Sequence, residues 1–243
     1  MLKPLTERQI KIIQAVVQEY TQTAQPVGSE TIDKKYNLGV SPATIRNEMA
    51  RLEDLGYLIQ PHTSAGRIPT PQAIKLYVTE LMKLETLPVV EEVEIKERLW
   101  DIRDRLDKIL RESAKLLSEK TKVIGLALSE NGDIYSAGYA NLLDLPEFFD
   151  IDVTKTVLSL VESPEEILNI FRQVQSQQTI HFLLGEELQQ EPLQQCAMVY
   201  TNFTIGSQRG YLGVIGSLRL NYSRTLPLIE HLHDLLDEVE AAQ

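Results

Sequence analysis

A single cysteine, Cys196, stands among 243 residues. That excludes an internal disulfide and any cysteine-based metal cluster. Its setting in the apolar run CAMVY reads as a buried, unreactive thiol rather than a nucleophile. Histidine is scarce too: His62, His181, His231 and His233. His231 and His233 lie two apart on a helical stretch and point to different faces, so they are poor co-ligands. His181 reads as an ordinary sheet side chain. No apolar run reaches the roughly 18 residues of a membrane span, and the start MLKPLTERQ lacks the pattern of a signal peptide. The glycines between Gly206 and Gly216 fall in a hairpin pattern, not between a strand and a helix, which excludes P-loop and Rossmann phosphate sites. No Ser/His/acid or paired-carboxylate set has catalytic spacing, and Glu91-Glu92 and Glu186-Glu187 read as solvated acids. The expectation is a cytoplasmic protein that is no enzyme, takes no cofactor or metal and touches no membrane.

What is present is ordinary for a soluble globular chain: 43% hydrophobic and 24% charged residues. The net charge of −11 argues at first against nucleic acid. Its distribution matters more. Residues 1–84 hold 10 Lys and Arg against 8 Asp and Glu; the remainder holds 14 against 27. A mildly basic head precedes a strongly acidic body, and acid repels phosphate and lowers non-specific DNA binding.

The stretch Val40–Thr70, VSPATIRNEMARLEDLGYLIQPHTSAGRIPT, is the most informative. Ser41 is a good N-cap and Pro42 suits the first helical position. Ile45, Met49, Leu52 and Leu55 then recur at helical spacing as a buried stripe. Ala43, Thr44, Asn47, Ala50 and Arg51 form the opposite face, with Arg46 at its border. That face is slim near its start, and Arg and Asn can make paired bonds to guanine and adenine edges. Gly56 stops the helix. Tyr57–Gln60 and Arg67–Thr70 are short extended segments around the turn His62-Thr63-Ser64-Ala65-Gly66, and Pro61 and Pro69 fit only edge strands. Upstream, Thr6 and Gln9 form a capping box for a helix carrying Ile10, Ile13, Val17 and Tyr20 and ending near Thr23. A second helix spans Glu30–Tyr36, with Ser29 as its cap. Helix, helix, turn, helix and two-stranded wing is the winged-helix order. On pattern alone, an amphipathic helix plus hairpin in some other α+β domain fits equally well.

The wording PVGSETI…SPATIRNEMARLEDLGYLIQPHTSAGRIPT closely resembles the N-terminal domain of the HrcA family, the heat-inducible transcription repressors of bacteria. The likeness is strong over roughly the first eighty residues and weaker beyond. Where that family has Gly-Tyr-Arg after the wing, this chain has Ala73-Ile74-Lys75, in a short helix Pro71–Leu84.

The body begins after a linker, residues 85–92, that contains Pro88. A long helix is expected from Val93 to Lys120, with Ile95, Leu99, Ile102, Leu106, Ile109, Ser113 and Leu116 as a heptad-like seam. Leu110 and Leu117 widen the seam, which favours packing on the following domain over pairing with a second copy; a mixed role, with one edge of the stripe at a dimer interface, stays open. Strands follow at Val123–Leu128 and Ile134–Leu143 around an Asn131-Gly132 turn. Helices are expected at Val153–Val161 and Pro164–Gln175, strands at Thr179–Leu184, Cys196–Thr204 and Gly210–Ser217, and a last helix at Tyr222–Val239. Ser207–Gly210 reads as the final hairpin turn. The words Asn141-Leu142-Leu143…Pro146-Glu147-Phe148 and Gly213-Val214-Ile215-Gly216…Arg219…Tyr222 are similar to the GAF-like domain of the same family. The fold class is therefore α+β: a winged helix-turn-helix domain, 1–84, followed by a GAF-like α/β domain, 93–243. The family carries an inserted dimerising domain of about a hundred residues. Here Leu128 reaches Ile134 through five residues, so this is a compact form without it.

The residues assign a DNA-reading surface: Thr44, Arg46 and Asn47 toward base edges with Ala43 on the same slim face, Ser41 and Arg51 on phosphates, and His62, Thr63, Ser64 and Arg67 of the wing on the adjacent groove or backbone. The resemblance implies a homodimer on an inverted-repeat operator of double-stranded DNA upstream of chaperone operons, kept active by the GroEL chaperonin and released on heating. Two rivals stand beside it: a ligand-sensing GAF-type regulator of a different operon, and a protein–protein adaptor using the winged helix as scaffold.

Overall fold

In a computed structural model, which describes residues 4–173 and 178–241, Thr6 opens helix α1 (Glu7–Thr23) with the expected capping box. Its hydroxyl accepts from the Gln9 amide while the Gln9 side chain accepts from Thr6 N–H. Two compact units divide between Lys83 and Leu84.

In the first unit α1 is surrounded by the other elements, so its buried stripe is broader than one face. Ile12, Ile13, Val16 and Val17 are all buried, while Ile10 and Tyr20 are only half-buried. Helix α2 (Ser29–Tyr36) has Gly28 at its N-cap with no side-chain cap, correcting the expectation that Ser29 caps it; Ser29 is already the first helical residue. Helix α3 (Pro42–Asp54), strands β1 (Leu58–Ile59) and β2 (Ile68–Pro69) and helix α4 (Pro71–Leu76) follow. The wing strands pair antiparallel, Leu58 with Pro69 and Ile59 with Ile68. After α4 the chain makes a π-turn, Tyr77–Leu81, closed by Met82 N–H on the Tyr77 carbonyl at 2.9 Å, so the expected helix to Leu84 stops early. This is a winged helix-turn-helix domain.

The second unit is a mixed α/β domain around a five-stranded antiparallel sheet: β3 (Ile124–Ser129), β4 (Ile134–Ala137), β5 (Ile180–Leu184), β6 (Cys196–Ile205) and β7 (Gln208–Ser217), in the order β4-β3-β7-β6-β5. The β3–β4 turn is tight: Leu128 pairs with Ile134 and Gly132 takes φ +96°. The second expected strand is cut short at Ala137, because Gly138 at φ +89° turns the chain into helix α7 (Tyr139–Leu142). The last hairpin turns at Gly206-Ser207, one step earlier than Ser207–Gly210, with Ile205 paired to Gln208 and Gly206 at φ +59°.

The expected long helix is two helices, α5 (Val89–Trp100) and α6 (Leu106–Thr121), folded back on each other. The end of the presumed linker, Val89–Glu92, is the first turn of α5, with Pro88 at its N-cap. The reason is length. A straight helix of 28 residues would run about 42 Å, whereas the longest strands here have 10 residues, about 34 Å. The seam would overhang the sheet. Folding back buries Ile95 and Leu99 as well as Ile109, Leu116 and Leu117. The charges flanking the seam then clip the hairpin: Arg98 to Glu112 and Glu119, the latter at 2.8 Å, and Lys120 to Glu94 at 2.8 Å.

Helix α6 crosses β3 at Gly125, where any Cβ would fall 2.0 Å from the Ala114 carbonyl oxygen. Helix α10 (Tyr222–Ala241) packs on β6 beside it. The opposite sheet face, with Leu126, Leu128, Met198, Tyr200 and Ile215, is covered by α8 (Ile151–Val161) and α9 (Pro164–Gln173). The expected end of α9 at Gln175 lies outside the described residues. Cys196 is fully buried there, its thiol pushed up to about 12 by burial and then by the Glu147 carboxylate. His181, facing the same layer from β5, is held toward its neutral form by burial.

Candidate nucleic-acid interface

Ser41 sits in extended backbone (φ −64°, ψ 155°) and its hydroxyl accepts from the Thr44 amide at 3.3 Å, so α3 starts where the cap and Pro42 dictate. Its end is a Schellman motif: Gly56 at φ +80° donates its N–H to the Glu53 carbonyl, and Tyr57 donates to that of Leu52. Ile45, Met49 and Leu52 are buried as expected, but Leu55 is only half-buried. The fourth buried position is Glu48.

Glu48 is tolerated inside because it is fully engaged. Its carboxylate accepts from the Gln9 side-chain amide at 3.1 Å and from Arg51 at 2.8 Å, tying α3 to α1. Arg51 is therefore steadied from below while its side chain remains 67% exposed. Ser41, Ala43, Arg46 and Asn47 are exposed and Thr44 half-exposed, so the predicted reading face is presented by one helix surface.

The wing is positioned by a second glutamate. Glu53, at the end of α3, accepts from Arg67 Nε at 3.0 Å and Nη2 at 2.9 Å, and from the Gln60 backbone N–H at 3.3 Å. One carboxylate thus holds the end of β1 and the start of β2. Arg67 is only 12% exposed. Expected on the adjacent groove or backbone, it is enclosed here, and its guanidinium braces the wing through Glu53. Gln60 also ties the turn, donating to the Thr63 and Ala65 carbonyls at 3.1 and 3.0 Å. His62, Thr63 and Ser64 are exposed at the tip, and His62 Nδ1 lies 3.3 Å from Ser64 Oγ. Arg67 further exchanges two backbone hydrogen bonds with Val27, 2.8 and 2.9 Å, so the wing is also fastened to the segment leading into α2.

Between α3, the wing and the start of α2 lies a cavity of about 480 Å³. Arg46 and Arg67 line it, and no Asp or Glu does. Two cationic side chains and no carboxylate in the lining suit an anionic ligand. Sequence reasoning missed Glu48, Glu53 and Gln60. A glutamate inside an apolar stripe gives a periodicity signal of exposure, and only its partners on other elements reveal its place.

Two family models match the chain: "Winged helix-turn-helix transcription repressor, HrcA DNA-binding" over residues 4–83 and "HrcA protein C terminal domain" over residues 80–226. Among similar proteins is the heat-inducible transcription repressor HrcA of Carboxydothermus hydrogenoformans, 30% identical over 97% of this chain and 98% of that one. The protein of the same description from Pelotomaculum thermopropionicum is 28% identical over 97% of each. That of Alkaliphilus metalliredigens is 42% identical over 65% of this chain and 46% of its own. The first alignment runs over 336 positions against 243 residues here, which leaves at least 93 positions of the relative without a counterpart. A crystal structure of a hypothetical protein at 2.2 Å resolution shares the fold, with a TM-score of 0.75 at 20% identity, covering 98% of both chains.

Proposed function

The chain belongs to the HrcA family of heat-inducible transcription repressors, and from that membership we propose how it works as a DNA-binding repressor of heat-shock (chaperone) operons. The observation that carries the reading is the slim, exposed face of α3, Ala43, Thr44, Arg46 and Asn47, beside a groove without acid. In this account Thr44, Arg46 and Asn47 bond base edges in the major groove, and Ala43 lets the helix close in. Ser41 and Arg51 hold backbone phosphates. His62, Thr63 and Ser64 touch the adjacent groove, while Arg67 acts from beneath by fixing the wing. The protein is a transcription factor rather than an enzyme.

Two heads, each residues 1–84, act together as a homodimer on an inverted repeat, since each offers only one short recognition helix. We read the body, an antiparallel sheet between two helical layers, as a GAF-like domain that joins and regulates the heads. Family membership adds the GroEL chaperonin as the partner that maintains the folded repressor. The ligand-sensing rival gains little from the void on the sheet of the body. The void beside Tyr200 is about 10 Å³, the space of one water, and Phe171 stacks on Tyr200 at 3.8 Å between ring centroids. Selection from a random duplex library tests the reading: a two-fold-symmetric sequence is expected to be enriched. Enrichment of a single asymmetric half-site would overturn the dimer, and no enrichment would overturn sequence-specific repression.

A further inference from the structure

The start of α2 carries features that packing leaves unexplained. Gly28, its N-cap, has φ −88° and ψ 155°, a conformation open to any residue. A Cβ built there would meet nothing within 4 Å. Neither backbone nor packing calls for glycine, yet glycine leaves the amides of the first turn uncapped and open to approach. Ser29, the next residue, is only 6% exposed. Its hydroxyl makes no hydrogen bond among the described residues and is reached only from the cavity that Ser29 lines. Both residues line the 480 Å³ cavity, with Arg46 on one side and Thr63 and Ser64 of the wing on the other. The wing is fastened at this spot by the two backbone hydrogen bonds between Arg67 and Val27, and Gly66 lies so close to Val27 that a Cβ would fall 2.5 Å from its carbonyl.

We infer that the start of α2 is a phosphate cradle for the DNA strand that passes between the recognition helix and the wing. The inference rests on the DNA-binding reading above. When α3 enters one groove and the wing the next, the sugar-phosphate ridge between those grooves must cross the space between them. The uncapped amides of α2 and the Ser29 hydroxyl donate to one phosphate there, the positive end of the helix favours its charge, and Arg46 adds to the field. Gly28 is glycine so that the phosphate reaches the amides. The contact carries no sequence information; it sets the depth and register at which α3 and the wing sit.

Two variants of the full chain test the cradle on a random-sequence duplex, since a phosphate contact is indifferent to sequence. Gly28→Asn places a neutral side-chain cap on the amides, so α2 is as stable or more so while the phosphate loses its seat. Ser29→Ala removes the hydroxyl alone. Each is expected to fold with an undiminished melting temperature and to lose about tenfold in duplex affinity. For Gly28→Asn the slope of log affinity against log salt falls as well, by less than the roughly 0.9 of a phosphate neutralised by a full Lys or Arg charge, since the helix terminus carries only about half a charge. If the wild-type chain binds duplex and both variants match its affinity and salt slope, the cradle is wrong and the repressor reading stands. If the wild-type chain binds no duplex, the repressor reading falls first and takes the cradle with it.

Discussion

Arg46 and Arg67 are the same side chain in different settings, and the difference is made by one carboxylate. Arg46 has no ion-pair partner among the described residues and stands exposed on α3, whereas Arg67 is enclosed and doubly bonded to Glu53. Arg46→Ala is expected to lose about 1–3 kcal/mol on the selected duplex and much less on a scrambled one, flattening discrimination at one base position. Equal losses on both duplexes would contradict its base-reading role. Arg67→Ala leaves Glu53 half-buried without its guanidinium and loosens the wing, which keeps its backbone bonds to Val27. It is expected to weaken binding to every duplex by about 1–2 kcal/mol, and Glu53→Ala to do the same. A double-mutant cycle checks this: the two losses should overlap rather than add, while full additivity would mean that the pair does not act as one brace. The sequence spelled out the exposed residues of the reading face, because exposure on an amphipathic helix follows from spacing. It did not show the fate of Arg67, because Glu53 lies 14 positions away and spacing says nothing about such partners.

Among the elements, those whose ends are written locally were legible. Ser41 and Pro42 begin α3 and Gly56 ends it, each for a reason confined to a few residues. The α5–α6 hairpin was not legible, since its apolar seam keeps helical spacing through the turn at 101–105, where neither Gly nor Pro interrupts it. What ends α5 is tertiary: the sheet is too short for a straight helix, and Arg98 reaches Glu112 and Glu119 only when the chain folds back. Another tertiary tie gives the body an acid sensitivity. Burial raises the Glu147 carboxyl, but hydrogen bonds from Arg219, one at 2.9 Å, and from Ser217 outweigh it, and the group is held below its ordinary value of 4.5. A carboxylate depressed in the folded state contributes stability that is complete above its unfolded value and lost as pH falls through the folded one. The melting temperature of the body is therefore expected to fall below about pH 4.5, and Glu147→Gln to be less stable at neutral pH but flatter across that window. An unchanged acid limb in Glu147→Gln would show that other groups govern it.

For the whole molecule, the proposed dimer raises the question of how a short member of the family would bring two heads to one operator. At least 93 positions of a full-length relative have no counterpart here, and the β3–β4 turn has no room for them. The charge map supplies part of an answer, with the basic surplus confined to the head and an acidic body that discourages unspecific contact. Binding should therefore be local, electrostatic and specific at once. The most direct measurement is affinity for the selected inverted repeat and for its scrambled counterpart, each titrated with salt. The account predicts that both affinities fall steeply as salt rises, and that near physiological salt the repeat is bound at least about a thousandfold more tightly than the scrambled duplex. A shallow salt dependence, or equal affinity for the two duplexes, would contradict it.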